Sequence, residues 1–182
     1  LGLAASPAPF FALNRECEAS YGLWSPAMRG AAADDPRNAT FCGFIQNTGP
    51  AELTVELERF LEGGTPPMVV GVGSLLPPMA TRLYELARSV ARRLGLRSVL
   101  VGAPSSLAAE DTFVAAHVPY SALFPRAKLL VHHGGAGALS ESLRSGRPQV
   151  VVPFGNDQFD NAWRIERLGL GGSVPKGRLS EA

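Results

Sequence analysis

Between residues 132 and 141 the chain places His132, His133, Gly134, Gly135, Gly137 and Glu141. Glycines strip β-carbons from a backbone that must turn sharply and approach a ligand closely. If a helix follows the turn, its first N–H groups are unpaired and carry partial positive charge, which suits a diphosphate. His133 at the mouth of the turn could donate to a phosphate oxygen. Glu141, about two turns into that helix, could accept from a pair of ribose hydroxyls. Asp157 and Gln158 come after the next apolar run, Gln149–Val152, and offer acceptors and an amide for sugar hydroxyls.

Each piece alone has a plainer explanation. A glycine turn can simply reverse the chain, a histidine before it can be structural, and Glu141 can be a solvated helix face. Asp157 can be a helix N-cap. Their order and close spacing join them: apolar strand Lys128–Val131, glycine turn, helix, apolar strand, polar loop. An open parallel sheet holds a phosphate and the rest of its ligand in that order.

The segment resembles the donor-binding motif of the GT-B glycosyltransferases that use nucleotide-sugars, the UDP-glycosyltransferase superfamily. The run Asp157-Gln158-Phe159-Asp160-Asn161-Ala162, with Leu168-Gly169-Leu170-Gly171, is most similar to rhamnolipid-type rhamnosyltransferases. The resemblance reaches from about Pro36 to Gly172. It implies that His133, rather than His132, contacts the diphosphate, with Gly135, Gly137 and the Ala138 N–H beside it. Most bacterial members carry Thr where this chain has Ala138, so a hydroxyl contact is lost there. Glu141 matches the position that accepts from the ribose, and Asp157 and Gln158 match the pair that reads the donor sugar. Val69-Val70-Gly71-Val72-Gly73-Ser74 resembles the first strand of the donor domain, with Ser74 near the β-phosphate. His117-Val118-Pro119-Tyr120 resembles the base-binding segment: the Val118 backbone would pair with the base, and His117 replaces the aromatic residue that stacks on it.

The resemblance also implies a reaction and its limits. Sugar would pass to a small, hydrophobic acceptor, and the general base would lie in an N-terminal domain absent from this chain. No residue here is therefore assigned as catalytic, and neither metal nor cofactor is expected. Two alternatives remain: a degenerate nucleotide-binding regulatory module, supported by Ala138, and an epimerase of related architecture. The intact Asp157–Gln158 pair argues against the first. A dinucleotide dehydrogenase does not fit, because no Gly-x-Gly-x-x-Gly follows the first strand.

The elements that must position these residues follow from periodicity. The chain has 182 residues with 46% hydrophobic content, enough for one α/β domain. Apolar spacing predicts helices over Glu52–Glu62, Pro77–Gly95 and Asn161–Leu168, with a brief one over Ser121–Arg126. Strands are predicted over Met68–Val72, Ser98–Gly102, Phe113–Ala116 and Gly171–Val174. This alternation defines a doubly wound parallel sheet, Rossmann-like, the C-terminal half of a GT-B fold. Residues 1–40 read as a linker and the end of a preceding domain, with a short helix over Leu13–Tyr21. Residues 41–182 read as the donor domain, entered by a strand over Phe41–Ile45 and truncated at its C-terminal end.

Charge and cysteine content narrow the partners. Seventeen basic residues balance sixteen acidic ones, net +1, so no nucleic-acid footprint is present. Arg88, Arg92, Arg93 and Arg97 read as a solvated helix face, and Trp163 as a core contact. Cys17 and Cys42 read as small buried hydrophobes, which fits a cytoplasmic protein or one held at the inner membrane face. No apolar run is long enough for a membrane span.

Overall fold

The computed structural model describes residues 17–33, 35–46, 49–73 and 80–179. The chain divides into two compact units, residues 1–45 and 46–182.

In the first unit, strands β1 (Ser20–Gly22) and β2 (Ala39–Phe41) form a small parallel pair. Trp24 packs on Phe41 at 4.9 Å between ring centroids, and the Arg29 guanidinium lies over both rings. Arg29 also pairs with Asp35 at 2.6 Å, which holds the Asp35 carboxyl below its usual range. Two expectations change here. Ser20 and Tyr21 are strand rather than helix, because their backbone pairs with Ala39 and Thr40. The predicted entry strand ends at Phe41, and Gly43 at φ 84° turns the chain.

The second unit contains α1 (Val55–Glu62), β3 (Met68–Gly71), α2 (Thr81–Arg93), β4 (Ser98–Val101) and β5 (Thr112–Ala115). After these come α3 (Tyr120–Leu123), β6 (Leu129–His132), α4 (Ala136–Ser145), β7 (Gln149–Val151), α5 (Gln158–Arg167) and β8 (Gly172–Ser173). Six strands form one parallel sheet in the order β5-β4-β3-β6-β7-β8. From β3 the chain steps outward to β4 and β5, then returns to place β6 on the other side of β3. The order therefore reverses between β3 and β6, where α/β sheets open a crevice at the carboxyl ends of their strands.

Alternation along the strands builds a core on each face. Met68, Val70, Leu100 and Val131 pack with Leu83, Tyr84, Ala87 and Ala91 of α2. Val69, Val99 and Leu130 pack with Leu57 and Leu61 of α1 and with Leu123 and Phe124. Burying an aliphatic side chain of this kind is worth about 1.5–3 kcal/mol. Tyr84, fully buried, donates its hydroxyl to the Val101 carbonyl at 2.6 Å.

The arginines are more than a solvated face. Arg97 donates to the carbonyls of Phe60, Leu61 and Thr65, so it satisfies acceptors at the C-terminal end of α1. Arg88 donates to the Leu107 carbonyl at 2.9 Å, and Arg92 pairs with Asp111 at 2.7 Å. That guanidinium pulls the Asp111 carboxyl down to about 2. Cys17 and Cys42 are both exposed, so the expectation of burial fails: each lies in the small first unit rather than in the sheet core. Among the described residues no helix is long and apolar enough to cross a membrane.

Candidate functional site

The switch point between β3 and β6 brings together part of the predicted set: His133, the glycine turn, Asp157 and Gln158. β6 ends at His132, and the chain turns through His133, Gly134 and Gly135 into α4. Gly134 sits at φ 86°, a conformation costly for any residue with a β-carbon. A β-carbon there would also come within 2.7 Å of Val151 Cγ1. Gly135 needs no unusual φ; it is glycine because a β-carbon would overlap His133 Nε2. Gly73, beyond the end of β3, faces the same ring: a β-carbon there would lie 2.9 Å from His133 Cε1. The His133 imidazole is thus wedged between the two strand ends, across the switch point.

α4 starts at Gly135 with no side-chain cap. Its first intrahelical bond is donated by Leu139 to the Gly135 carbonyl, so the N–H groups of Ala136, Gly137 and Ala138 are the orphan donors of its first turn. Ala136 and Gly137 are exposed, and a β-carbon on Gly137 would meet nothing within 4 Å. Ala138 is buried, its methyl packed inward beside Leu139. The arrangement presents donors, glycine-thin, to an open crevice, and an anion suits it.

His133 is partly buried, and its Nδ1 is enclosed without a hydrogen-bond partner. Burial lowers its pKa; the Gly71 carbonyl and the Asp157 charge act the other way without overcoming it. His132 has a different environment. It is fully buried, its Nε2 lies 2.9 Å from Gln149 Oε1, and its Nδ1 accepts from the Gly134 N–H at 3.1 Å. Burial pushes its pKa down to about 4.

The loop after β7 forms the neighbouring wall. Gln158 turns its Oε1 back to accept from the N–H groups of Phe154, at 2.8 Å, and Gly155, at 3.1 Å. Its amide nitrogen is the group left to reach a ligand. Asp157 is exposed and stands at the N-cap position of α5, yet its side chain caps no backbone N–H. Its Oδ2 accepts instead from Asn161 Nδ2 at 3.0 Å, and that nitrogen also donates to the Gly134 carbonyl at 2.8 Å. Asn161 therefore ties the polar loop to the glycine turn. Sequence reasoning assigned it no role, although its position four residues after Asp157 puts both on one face of a helix.

Other predicted residues are more dispersed. Glu141 lies on α4, and its Oε2 is held by Arg144 at 2.6 Å, which leaves Oε1 as its other acceptor. His117 is exposed and Val118 buried, in the loop between β5 and α3, with Val118 packed in the core cluster that holds Val69 and Val99. Ser74 lies outside the described residues. Trp163 is 50% exposed rather than a core contact. The inward face of α5 is taken by Ala162 and Ile165, which leaves Trp163 between the guanidinium groups of Arg164 and Arg167. A separate open cavity of about 570 Å³ lies at the opposite end of β7 from the crevice, lined by Leu143, Arg147, Pro148 and Leu170. Among the described residues no group of three or more His, Cys, Asp or Glu side chains could hold a metal ion.

A doubly wound parallel sheet with an uncapped, glycine-lined helix N-terminus at its switch point defines a nucleotide-binding α/β domain. Comparison with known proteins narrows this class. Residues 104–182 match the family described as Erythromycin biosynthesis protein CIII-like, C-terminal domain. The chain is 37% identical over 127 residues to the O-mycaminosyltylonolide 6-deoxyallosyltransferase of Streptomyces fradiae, covering 69% of this chain and 30% of that protein. It is 31% identical over 158 residues to a sterol 3-beta-glucosyltransferase of Arabidopsis thaliana, covering 83% of this chain and 25% of that one. Among solved structures, the glycotransferase of kitacinnamycin superposes with a TM-score of 0.69 at 26% identity, over 90% of this chain and 44% of that one. The Streptomyces sp. SF2575 glycosyltransferase SsfS6, complexed with thymidine diphosphate, superposes with a TM-score of 0.63 at 25% identity, over 86% and 40%. The chain belongs to the UDP-glycosyltransferase superfamily, as the C-terminal domain of a GT-B glycosyltransferase. It spans about a third or less of the length of the curated relatives it matches.

Proposed function

We propose that this chain binds the nucleoside-diphosphate sugar of a glycosyltransferase, with UDP- or dTDP-sugar as donor. As part of a longer polypeptide it passes a hexosyl group to a small hydrophobic acceptor held by an N-terminal domain. The observation that carries this reading is the His133 imidazole wedged between Gly73 and Gly135, beside an uncapped α4. The diphosphate lies on the first-turn N–H groups of α4 with His133 donating to it. Glu141 Oε1 takes the ribose, and Asp157 with the Gln158 amide nitrogen takes the sugar hydroxyls. His117 and the Val118 backbone receive the base, and Ser74 the β-phosphate. The structure of a relative with bound thymidine diphosphate supports the donor class.

The chemistry is a displacement at the anomeric carbon. An acceptor oxygen forms the new bond to that carbon, and the bond to the β-phosphate oxygen breaks, leaving its electron pair on the departing nucleoside diphosphate. The acceptor proton goes to a base outside this chain. Charge grows on the leaving group, and the α4 N-terminus and His133 stabilise it where it develops. No metal or cofactor is assigned a part. In isolation the chain binds donor and transfers nothing. Its expected place is the cytoplasm or the inner membrane face.

Calorimetric titration with UDP, dTDP and a UDP-sugar, without added metal, tests this. Binding in the micromolar to millimolar range supports it, and no heat with any of the three argues for the degenerate regulatory module that the inward-packed Ala138 favours. Glu141→Ala is expected to weaken UDP by about tenfold and its 2′-deoxy counterpart less, the loss of a hydrogen bond to a charged group. Equal losses would remove the ribose contact.

A further inference from the structure

We propose that His132 is the positioning residue of the glycine turn: its neutral imidazole accepts the Gly134 N–H and thereby sets the path on which the first-turn N–H groups of α4 face the crevice. The ligand in this inference rests on the donor-binding reading above; the geometry does not.

His132 is the last residue of β6 and is fully buried. An N–H donates only to a ring nitrogen that carries no proton, so the 3.1 Å bond from Gly134 leaves Nδ1 bare. The proton of the neutral ring is then on Nε2, directed at Gln149 Oε1 at 2.9 Å. The far end of the chain of contacts demands the same tautomer. Gln149 Nε2 donates to the Leu170 carbonyl at 3.1 Å, so the amide oxygen is the end that faces His132. That oxygen also accepts from Ser142 Oγ at 3.0 Å. A single polar relay therefore joins β6, α4, β7 and the segment before β8, and every group in it is satisfied.

The backbone of the same residue is fastened as well, since the His132 carbonyl accepts from the Val152 N–H at 2.8 Å. Ring and main chain together fix where β6 ends and where Gly134 enters its left-handed conformation. The depressed pKa of the buried ring agrees with a group kept neutral. His133, one residue on, faces across the crevice to Gly73 instead. The two histidines divide the work: one reaches the ligand, the other shapes the turn. An apolar residue at position 132 would fill the space but leave the Gly134 N–H and the Gln149 oxygen short of a partner, and buried polar groups left so are costly.

Two substitutions separate the roles of the two ring nitrogens. His132→Asn puts an amide oxygen near the place of Nδ1 and keeps an acceptor for Gly134. His132→Gln reaches toward Gln149 and withdraws that acceptor. The test combines ¹H–¹⁵N correlation spectra of the wild-type imidazole, amide hydrogen exchange at Gly134, and UDP titration of the same chains. The expected result is a neutral ring protonated at Nε2 and slow exchange at Gly134. His132→Asn should preserve both Gly134 protection and UDP affinity within about threefold, whereas His132→Gln should lose about tenfold in each. A wild-type ring protonated at Nδ1 overturns the proposal, as does His132→Gln protecting Gly134 as well as His132→Asn does. If a variant fails to fold, the wild-type tautomer decides alone. Should the wild-type chain bind no nucleotide, the donor reading falls while the tautomer and Gly134 exchange still settle the role of His132.

Discussion

The junctions that follow β6 and β7 share one topology and have opposite chemistry. Both leave the carboxyl end of a strand, cross a short loop and enter a helix. After β6 the loop is glycine and the helix start is uncapped, so backbone donors face the crevice. After β7 the helix start is also without a side-chain cap, but the loop before it spends its donors internally: Gln158 folds back to accept two loop N–H groups, and Asp157 stands exposed. In the proposed function the first junction takes an anion and the second takes hydroxyls. The side chains of the loops, rather than strand order, make the difference, and Asn161 holds the two loops together through the Gly134 carbonyl and Asp157.

Acid should act on the first junction and spare the second. Burial holds the His132 pKa at about 4, against 6.5 unperturbed. Its neutral form therefore stabilises the fold fully above about pH 6.5, and that stability declines as pH falls to about 4, because the unfolded chain takes up the proton first. The loss across that window is on the order of 3 kcal/mol, at about 1.4 kcal/mol per pH unit. His133, also shifted downward by burial, adds in the same direction. Hydrogen exchange followed from pH 7 to pH 4 should show Gly134 opening while Phe154, held by a side chain that does not titrate here, stays protected. Parallel opening of the two would erase the distinction.

Filling the wedge should be nearly as severe. Gly135→Ala places a carbon on His133 Nε2, and the ring must move out of the crevice. UDP affinity is expected to drop by about a hundredfold, the equivalent of one or two strong contacts, with far-ultraviolet dichroism unchanged. An affinity within twofold of wild type would show that His133 has room to spare.

The two walls can then be separated by ligand. His133→Ala should weaken UDP by about ten- to hundredfold, the loss of one hydrogen bond to a charged phosphate. Asp157→Asn should leave UDP within about threefold but cost about tenfold with UDP-sugar. Calorimetry on both variants with both ligands is the check, and a common loss would make Asp157 a structural partner of Asn161. The smallest effect belongs to Trp163→Ala. Its side chain is half exposed, and thermal denaturation should place the variant within about 0.5 kcal/mol of wild type.

The strand and helix alternation from Glu52 onward was legible because each element carries its own period, and it differs from the observed bounds by only a few residues. The glycine turn was legible for the same local reason. The first unit was not: Ser20–Gly22 is a strand only because it pairs with Ala39–Phe41, a contact no local pattern announces. Trp163 misled for a related reason. A helix face shows its apolar stripe in sequence, but which residues of that stripe touch the sheet depends on the angle at which the helix lies. Here Ala162 and Ile165 took the inward places.

By itself, the order of residues determined the sheet class, the glycine turn and the set of polar groups around it, since these depend on neighbours in the chain. Tertiary structure alone decided how differently the two histidines are surrounded. His132 and His133 are adjacent and chemically identical. One is sealed against Gln149, seventeen residues away and reached only through the pairing of β6 with β7. The other is brought against Gly73 by the pairing of β3 with β6. Proton affinity and tautomer follow from those surroundings, and surroundings belong to the folded chain.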